Sequence, residues 1–431
     1  MVDTVEALVN HSARIVLCTF GSLGDLHPYL ALGAGLRARG HRPAIATSGF
    51  YRERVEAEGL DFIPIRPDLG EVGNIEDFIR QAVDLKTGSE FVVTKLVLPH
   101  LRTSYDDLLA GAGDADLFVG HPLTYAVALV AETLGRPWMG CALAPLSLFS
   151  ACDASTLPPL APLLGTRQLS PFWFRQIMRY VRRVTREWSR PVAALRAELG
   201  LAPMPADPIY EGQYSAHGNL ALFSPVLAPP QPDWPPRMTA TGFCFHDRLA
   251  PGQGLDDELA EFLDAGEPPF VFTLGSTAVH DPGEFYALAA RASAELGRRA
   301  VLLAGERCQM TDLPPGVLRV DYAPHSLIFP RAAAIAHQGG VGTTAQALAS
   351  GRPQLVMPYS HDQPDNAARI TRLGVGRMVP RQKFTLARAK AELSSLLAEP
   401  YITRAAAVAE QVRAEDGVAT ACAAVEACLA P

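Results

Sequence analysis

Residues 335–370 read IAHQGGVGTTAQALASGRPQLVMPYSHDQPDNAARI, and the rest of the chain is best understood outward from them. The short apolar run over 332–336 predicts a buried strand. His337 and Gln338 follow, then Gly339, Gly340 and Gly342. A helical stretch is expected from Thr343 to about Ser350, with Gly351 placed to end it. A second strand over Leu355–Met357 leads to Pro358 and the polar loop Ser360-His361-Asp362-Gln363.

The chemistry this order suggests is an anion site. Glycines let the backbone approach a ligand closely. Unpaired N–H groups at a helix start, with the helix dipole behind them, favour a phosphate. His337 at the strand end is expected to donate a further hydrogen bond. The loop after the next strand opens on the same sheet edge, because ligands collect at the carboxyl ends of parallel strands. Asp362 and Gln363 are therefore expected to reach whatever hangs off the phosphate. A carboxylate beside an amide suits sugar hydroxyls, since together they accept and donate. The plainer alternative is an ordinary strand-to-helix turn followed by a capping Asp.

The segment resembles the donor-binding signature of family 1 glycosyltransferases, which use nucleotide sugars. Its marks are the strand-end His337, the glycine-rich helix start Gly339 to Gly342, the turn Gly351-Arg352-Pro353 and the pair Asp362-Gln363. The resemblance implies an α/β protein of the GT-B arrangement, two facing Rossmann-like domains with a ligand cleft between them. It also implies donor binding by Ser276, Tyr322, His337, Gly339, Gly340, Gly342, Thr343, Asp362 and Gln363. Ser276 lies after the expected strand over 270–274. Tyr322 stands where relatives more often carry Trp, and is expected to stack on the nucleotide base. His325 replaces a Gln of that turn. Gln346 replaces a Glu that bonds ribose hydroxyls in many relatives, which leaves UDP against dTDP open.

Length and charge narrow the class. The 431 residues exceed one ordinary domain, and a 48% hydrophobic content is ample for two cores. The formal charge of −7 argues against a nucleic-acid partner. Seven cysteines, odd in number and without C-x-x-C spacing, fit a reducing compartment and no zinc site. No apolar run approaches the ~18 residues of a membrane span. The opening MVDTVEALVN carries early acids and does not read as a secretory signal. A cytoplasmic location is the plain expectation.

In the first half, RIVLCTF over 14–20 reads as a buried strand, GSLGDLHP over 21–28 as a loop, and Tyr29 to Arg39 as a helix. This βα unit invites a dinucleotide reading. It lacks G-x-G-x-x-G, and its second strand ends in Thr47-Ser48 without a ribose-gripping acid. What the loop offers is Asp25 at the sheet's carboxyl edge, able to act as a general base if partial burial raises its pKa. The loop resembles the acceptor-side loop of family 1 enzymes, with Asp in place of the better-known His. Asp25 is the expected catalytic residue, His27 its rival, and simple helix capping the alternative. Ser22, His27, His121 and Phe149 are the expected acceptor-binding residues.

Asp114-Ala115-Asp116 resembles a metal-gripping D-x-D. It precedes a strand and so falls on the wrong edge, and no metal site is expected. WMGCALAPLSLF over 138–149, together with 157–164 and Phe172-Trp173-Phe174, reads either as loosely packed loop or as a pocket for a lipophilic acceptor. RQIMRYVRRVTREWSR, Arg175 to Arg190, is basic, with Ile177, Tyr180, Val181, Val184 and Trp188 as a helical stripe. It reads as a solvated helix packed on the domain or as one attracted to an anionic membrane surface. The Pro-rich PVLAPPQPDWPP over 225–236 approaches an interdomain linker and resembles sterol glucosyltransferase-like and rhamnosyltransferase-like members.

The expected domains are 1–236 for the acceptor, 237–410 for the nucleotide-sugar donor, and a terminal helix over 411–431 returning to the first. The expected reaction is inverting, metal-independent sugar transfer from a UDP- or dTDP-sugar to a hydroxyl of a lipophilic small molecule, with no cofactor beyond that co-substrate. A nucleotide-sugar 2-epimerase and a non-catalytic nucleotide-sugar-binding subunit are the competing readings.

Overall fold

Short apolar runs separated by helices build two parallel sheets. The computed structural model describes residues 12–71, 75–246, 254–308, 310 and 312–429. The opening MVDTVEALVN, which does not read as a signal, lies outside the described residues. The first sheet has strands β1 Arg14–Cys18, β2 Arg42–Thr47, β3 Asp61–Pro64, β4 Leu117–Gly120, β5 Trp138–Ala142, β6 Asn219–Ala221 and β7 Met238–Ala240. Their spatial order is β3-β2-β1-β4-β5-β6-β7. The second has β8 Phe270–Thr273, β9 Ala300–Leu303, β10 Val317–Val320, β11 Ala334–His337, β12 Gln354–Val356 and β13 Gly376–Met378, in the order β10-β9-β8-β11-β12-β13.

Both sheets are covered on both faces, as all-parallel sheets must be. Alternate residues of one strand serve opposite cores. Val16 and Cys18 join Ala44, Ala46 and Phe118 on one side of the first sheet. Ile15 and Leu17 join Ile45, Leu117 and Val119 on the other. In the second sheet Phe270 and Phe272 face one core while Val271 faces the other. The strand order reverses between β1 and β4 and between β8 and β11, the two places where a crevice opens at the strand ends.

Five helices position the site and its surroundings: α1 Leu23–Ala38, α2 Pro171–Val184, α3 Val341–Ser350, α4 Gln363–Arg372 and α5 Gly417–Leu429. Helix α1 starts six residues before the expected Tyr29. Ser22 and Asp25 form a capping box that satisfies its first amides, so the chain turns helical directly after Ser22. Pro28 is accommodated near the helix start. The terminal helix expected over 411–431 is interrupted at 414–416. Its last part, α5, packs Ala421, Cys422 and Val425 into the core beside α1.

Two readings need correction. Strand β7 lies past residue 236 yet pairs with β6, so the first sheet extends beyond the expected boundary. The Pro-rich run merely loops between these two strands. In α2 the buried stripe is Phe174 and Met178, with Ile177 and Val181 partly covered. Tyr180 and Val184, assigned to the packed face, are exposed.

Candidate active site

The first half of the site forms where β1 and β4 end side by side. Beyond β1 the chain passes Gly21 and Ser22 into α1. Gly21 holds φ at +138°, and a Cβ there would lie 2.3 Å from Asp25 Oδ2, so only glycine leaves room for the carboxylate. Ser22 donates to that oxygen twice, from its backbone N–H at 2.7 Å and its hydroxyl at 3.0 Å. His121 follows β4, and its Nε2 stands 3.4 Å from Asp25 Oδ1. The imidazole is buried while Asp25 keeps 32% of its side chain exposed. His121 Nδ1 accepts the Leu123 N–H at 3.1 Å, which places the ring proton on Nε2, facing Asp25.

Asp25 therefore does cap its helix, and it also holds a second partner across the sheet edge. Burial alone would push its carboxyl up. The hydrogen bonds from His121 and Ser22 more than offset this, and the pKa is lowered. The raised pKa expected from partial burial is corrected accordingly: Asp25 is a carboxylate at neutral pH. His27, the rival base, is two residues further on, about 200° around the helix. Its ring lies 5.2 Å from that of His246, away from the Asp25–His121 pair. Phe149 occupies the loop after β5 with φ +48° and packs on Tyr210, ring centroids 5.1 Å apart. Asp116 accepts the Arg14 backbone N–H at 2.8 Å, at the amino edge of the sheet.

The second half forms where β8 and β11 end. Gly340 is the N-cap of α3 and brings no side chain to it. Gly339 holds φ at +91°, and a Cβ there would meet Val356 at 2.7 Å. Gly342 lies at the second helical position and Thr343 at the third, with its hydroxyl 3.4 Å from Gln338 Nε2. Ser276 is exposed in the short turn after β8, and Tyr322 is exposed after β10.

His337 does not match its expected part. It is fully buried, with Nδ1 accepting the Gly339 N–H at 3.0 Å and Nε2 paired with Gln354 Oε1 at 3.0 Å. Burial, partly offset by Gln354, holds its pKa down to about 4, so the ring is neutral. With both nitrogens engaged it shapes the glycine turn and has no N–H left for a phosphate. Sequence reasoning passed over Gln338, which is wedged against Gly275 and Gly340 beneath the same turn. Its only signal was a polar residue beside three glycines.

Asp362 and Gln363 begin α4 at the mouth of α3. Asp362 accepts from Asn366 Nδ2 at 2.7 Å and from the Val341 N–H. Burial first, then the charge of Asp25, pushes its carboxyl up to about 7. Gln363 Oε1 accepts the Tyr359 N–H at 2.8 Å and the Ser360 N–H at 3.3 Å.

The two halves meet at this point. A Cβ on Gly342 would lie 3.8 Å from Gly24 Cα, so the starts of α1 and α3 face each other. Across the same junction Thr156 donates its backbone N–H to Asp365 Oδ1 at 2.8 Å. Arg369 bridges Asp365 at 2.8 Å and Asp153, with all but 3% of its side chain buried. Asp233, in the Pro-rich loop, fixes the other side of that segment through Ser150 Oγ at 2.6 Å and the Ala151 N–H at 2.7 Å.

Two parallel-sheet domains, each presenting a helix start to a shared cleft, form the GT-B arrangement. Residues 15–145 match the glycosyltransferase family 28 N-terminal domain, and 291–426 match the erythromycin biosynthesis protein CIII-like C-terminal domain. The chain is 34% identical over 427 residues to the O-mycaminosyltylonolide 6-deoxyallosyltransferase of Streptomyces fradiae, covering 96% of this chain and 97% of that one. It is 29% identical to the sterol 3-beta-glucosyltransferase of Aspergillus terreus, spanning 95% of this chain but 29% of that longer protein. Among solved structures it is similar to the glycotransferase of kitacinnamycin, with TM-score 0.72, 22% identity and coverage of 96% and 98%. It is also similar to the glycosyltransferase VinC in complex with dTDP, with TM-score 0.67, 22% identity and coverage of 96% and 99%. The chain belongs to this family of GT-B glycosyltransferases and is a glycosyltransferase.

Among the described residues no helix is long and apolar enough to cross a membrane.

Proposed function

We propose that the protein transfers a sugar, with inversion and without a metal, from a UDP- or dTDP-sugar to a hydroxyl of a lipophilic small molecule. The observation that carries this reading is the ionised Asp25, held by three donors at the start of α1, opposite the side-chain-free start of α3.

Asp25 takes the proton of the acceptor hydroxyl as that oxygen attacks the anomeric carbon. The C–O bond to the diphosphate breaks, and the electron pair leaves with the nucleotide. Charge growing there meets the Gly342 and Thr343 amides, the α3 dipole and the Ser276 hydroxyl. Preorganised donors of this kind are typically worth about 3 kcal/mol each. Asp362 and Gln363 face the sugar, and Tyr322 offers a ring for the base. Support for a lipophilic acceptor comes from the apolar wall after β5 and from relatives whose names give O-mycaminosyltylonolide and sterols as what they act on.

A 2-epimerase would use acids to move a proton at a sugar carbon. The Asp25 carboxylate, stabilised as an anion and set on the acceptor side, favours hydroxyl activation instead. The test is the anomeric configuration of the product, read by NMR with and without a chelator. Inversion with turnover unaffected by the chelator is expected. Retention, or loss of turnover that added metal restores, overturns the proposal.

A further inference from the structure

Helix α2 leaves an outer face that the transfer reaction does not use. Opposite its buried Phe174 and Met178, Trp173, Tyr180 and Val184 recur at helical spacing and are 60%, 68% and 52% exposed. Phe172 stacks edge-on against Trp173 with centroids 5.3 Å apart and is itself 60% exposed. Apolar and aromatic side chains grouped this way on a surface mark a contact site.

The flank of the same helix is basic. Arg175, Arg179 and Arg183 recur every four residues and are exposed, with Arg186 and Arg190 continuing the row. Among the described residues Arg175, Arg179, Arg183 and Arg186 form no ion pair with a carboxylate, whereas Arg182 pairs with Glu211 and Arg190 with Glu187. This cluster stands out on a chain of net charge −7. Exposed Trp and Phe beside a row of Arg on one helix complement a lipid surface: the rings fit the headgroup boundary and the guanidinium groups meet anionic headgroups.

We infer that the outer face of α2 docks the protein on an anionic membrane. The inner face of the same helix packs on Phe149 and Leu157, so docking would set the wall assigned to the acceptor close to the bilayer. That purpose rests on the lipophilic-acceptor proposal, but the docking itself does not.

The test is co-sedimentation of the full chain with phosphatidylcholine vesicles and with vesicles containing phosphatidylserine at about a third of the lipid. The expected result is at least a tenfold stronger partition onto the anionic vesicles, weakened by salt. F172S/W173S and R175E/R179E/R183E each lose that preference, while melting temperature and dTDP affinity match the wild type, since none of these side chains lies in the core or the cleft. Equal partition onto both vesicle types overturns the inference. So does undiminished binding by the charge-reversed variant. A wild type that dimerises without lipid, and is made monomeric by F172S/W173S, assigns the face to a second copy and overturns it too. A wild type that binds neither UDP nor dTDP would instead count against the transfer reaction.

Discussion

His121 Nε2 stands 3.4 Å from Asp25 Oδ1, and a backbone N–H received at Nδ1 keeps the ring proton on the Asp25 side. The histidine is therefore a fixed donor that keeps the carboxylate ionised and aimed. Removing it leaves Asp25 with its burial and without its main stabilising partner. H121F should raise the pKa of Asp25, moving the acid limb of the kcat/KM profile to higher pH. H121Q, which keeps an N–H donor, should move it less. Profiles of the three proteins measured side by side check this, and coincident acid limbs would remove His121 from the positioning role.

Asp362 gives a second pH signature, of opposite sign. Its carboxyl sits near 7 at the mouth of α3, so it gains negative charge as pH rises through that value. Anion affinity for dTDP should fall across this window in the wild type. In D362N that fall should be absent, leaving only the ligand's own titration. Calorimetry from pH 6 to 8.5 measures both.

His337 links acidity to stability. Its pKa is about 4 in the folded protein and near 6.5 in an unfolded chain. The unfolded state thus binds the proton first, and stability present above about 6.5 is lost as pH falls toward 4. H337F should unfold more easily by about 1–3 kcal/mol, because the Gly339 N–H and the Gln354 amide lose their partner. Denaturant melts at pH 7 and 5 test both statements.

The domain junction carries a buried ion pair whose members should not act independently. R369A leaves Asp365, itself fully buried, without its charge partner and should cost about 3–5 kcal/mol. D365N/R369M should cost less than R369A alone. A double-mutant cycle by chemical denaturation measures the difference.

The parts of this molecule visible in the sequence are those written in local order. The two parallel sheets follow from short apolar runs alternating with helices. The α3 start follows from Gly339, Gly340 and Gly342 directly after a strand. Asp25 is legible because a glycine-rich turn puts it at a strand end. What local order does not carry is depth and long-range pairing. His337 sits in the motif, but its burial, which turns it from phosphate donor into loop brace, depends on Gln354 and the packed sheet. The direction of the Asp25 shift is hidden from the sequence because His121 arrives from β4, a distant strand that meets β1 only in the fold. Arg369 and Asp153, 216 residues apart, leave no trace in the sequence pattern. The α2 stripe is misassigned from sequence because apolar residues lie on both of its faces, and only the fold shows which face is covered.

The central claim is that one half holds the nucleotide while Asp25 of the other half activates the alcohol. Transfer by D25N, measured alongside its dTDP affinity, tests it most directly. The account predicts unchanged nucleotide binding with turnover lowered by about 100-fold or more. Turnover equal to that of the wild type would contradict it.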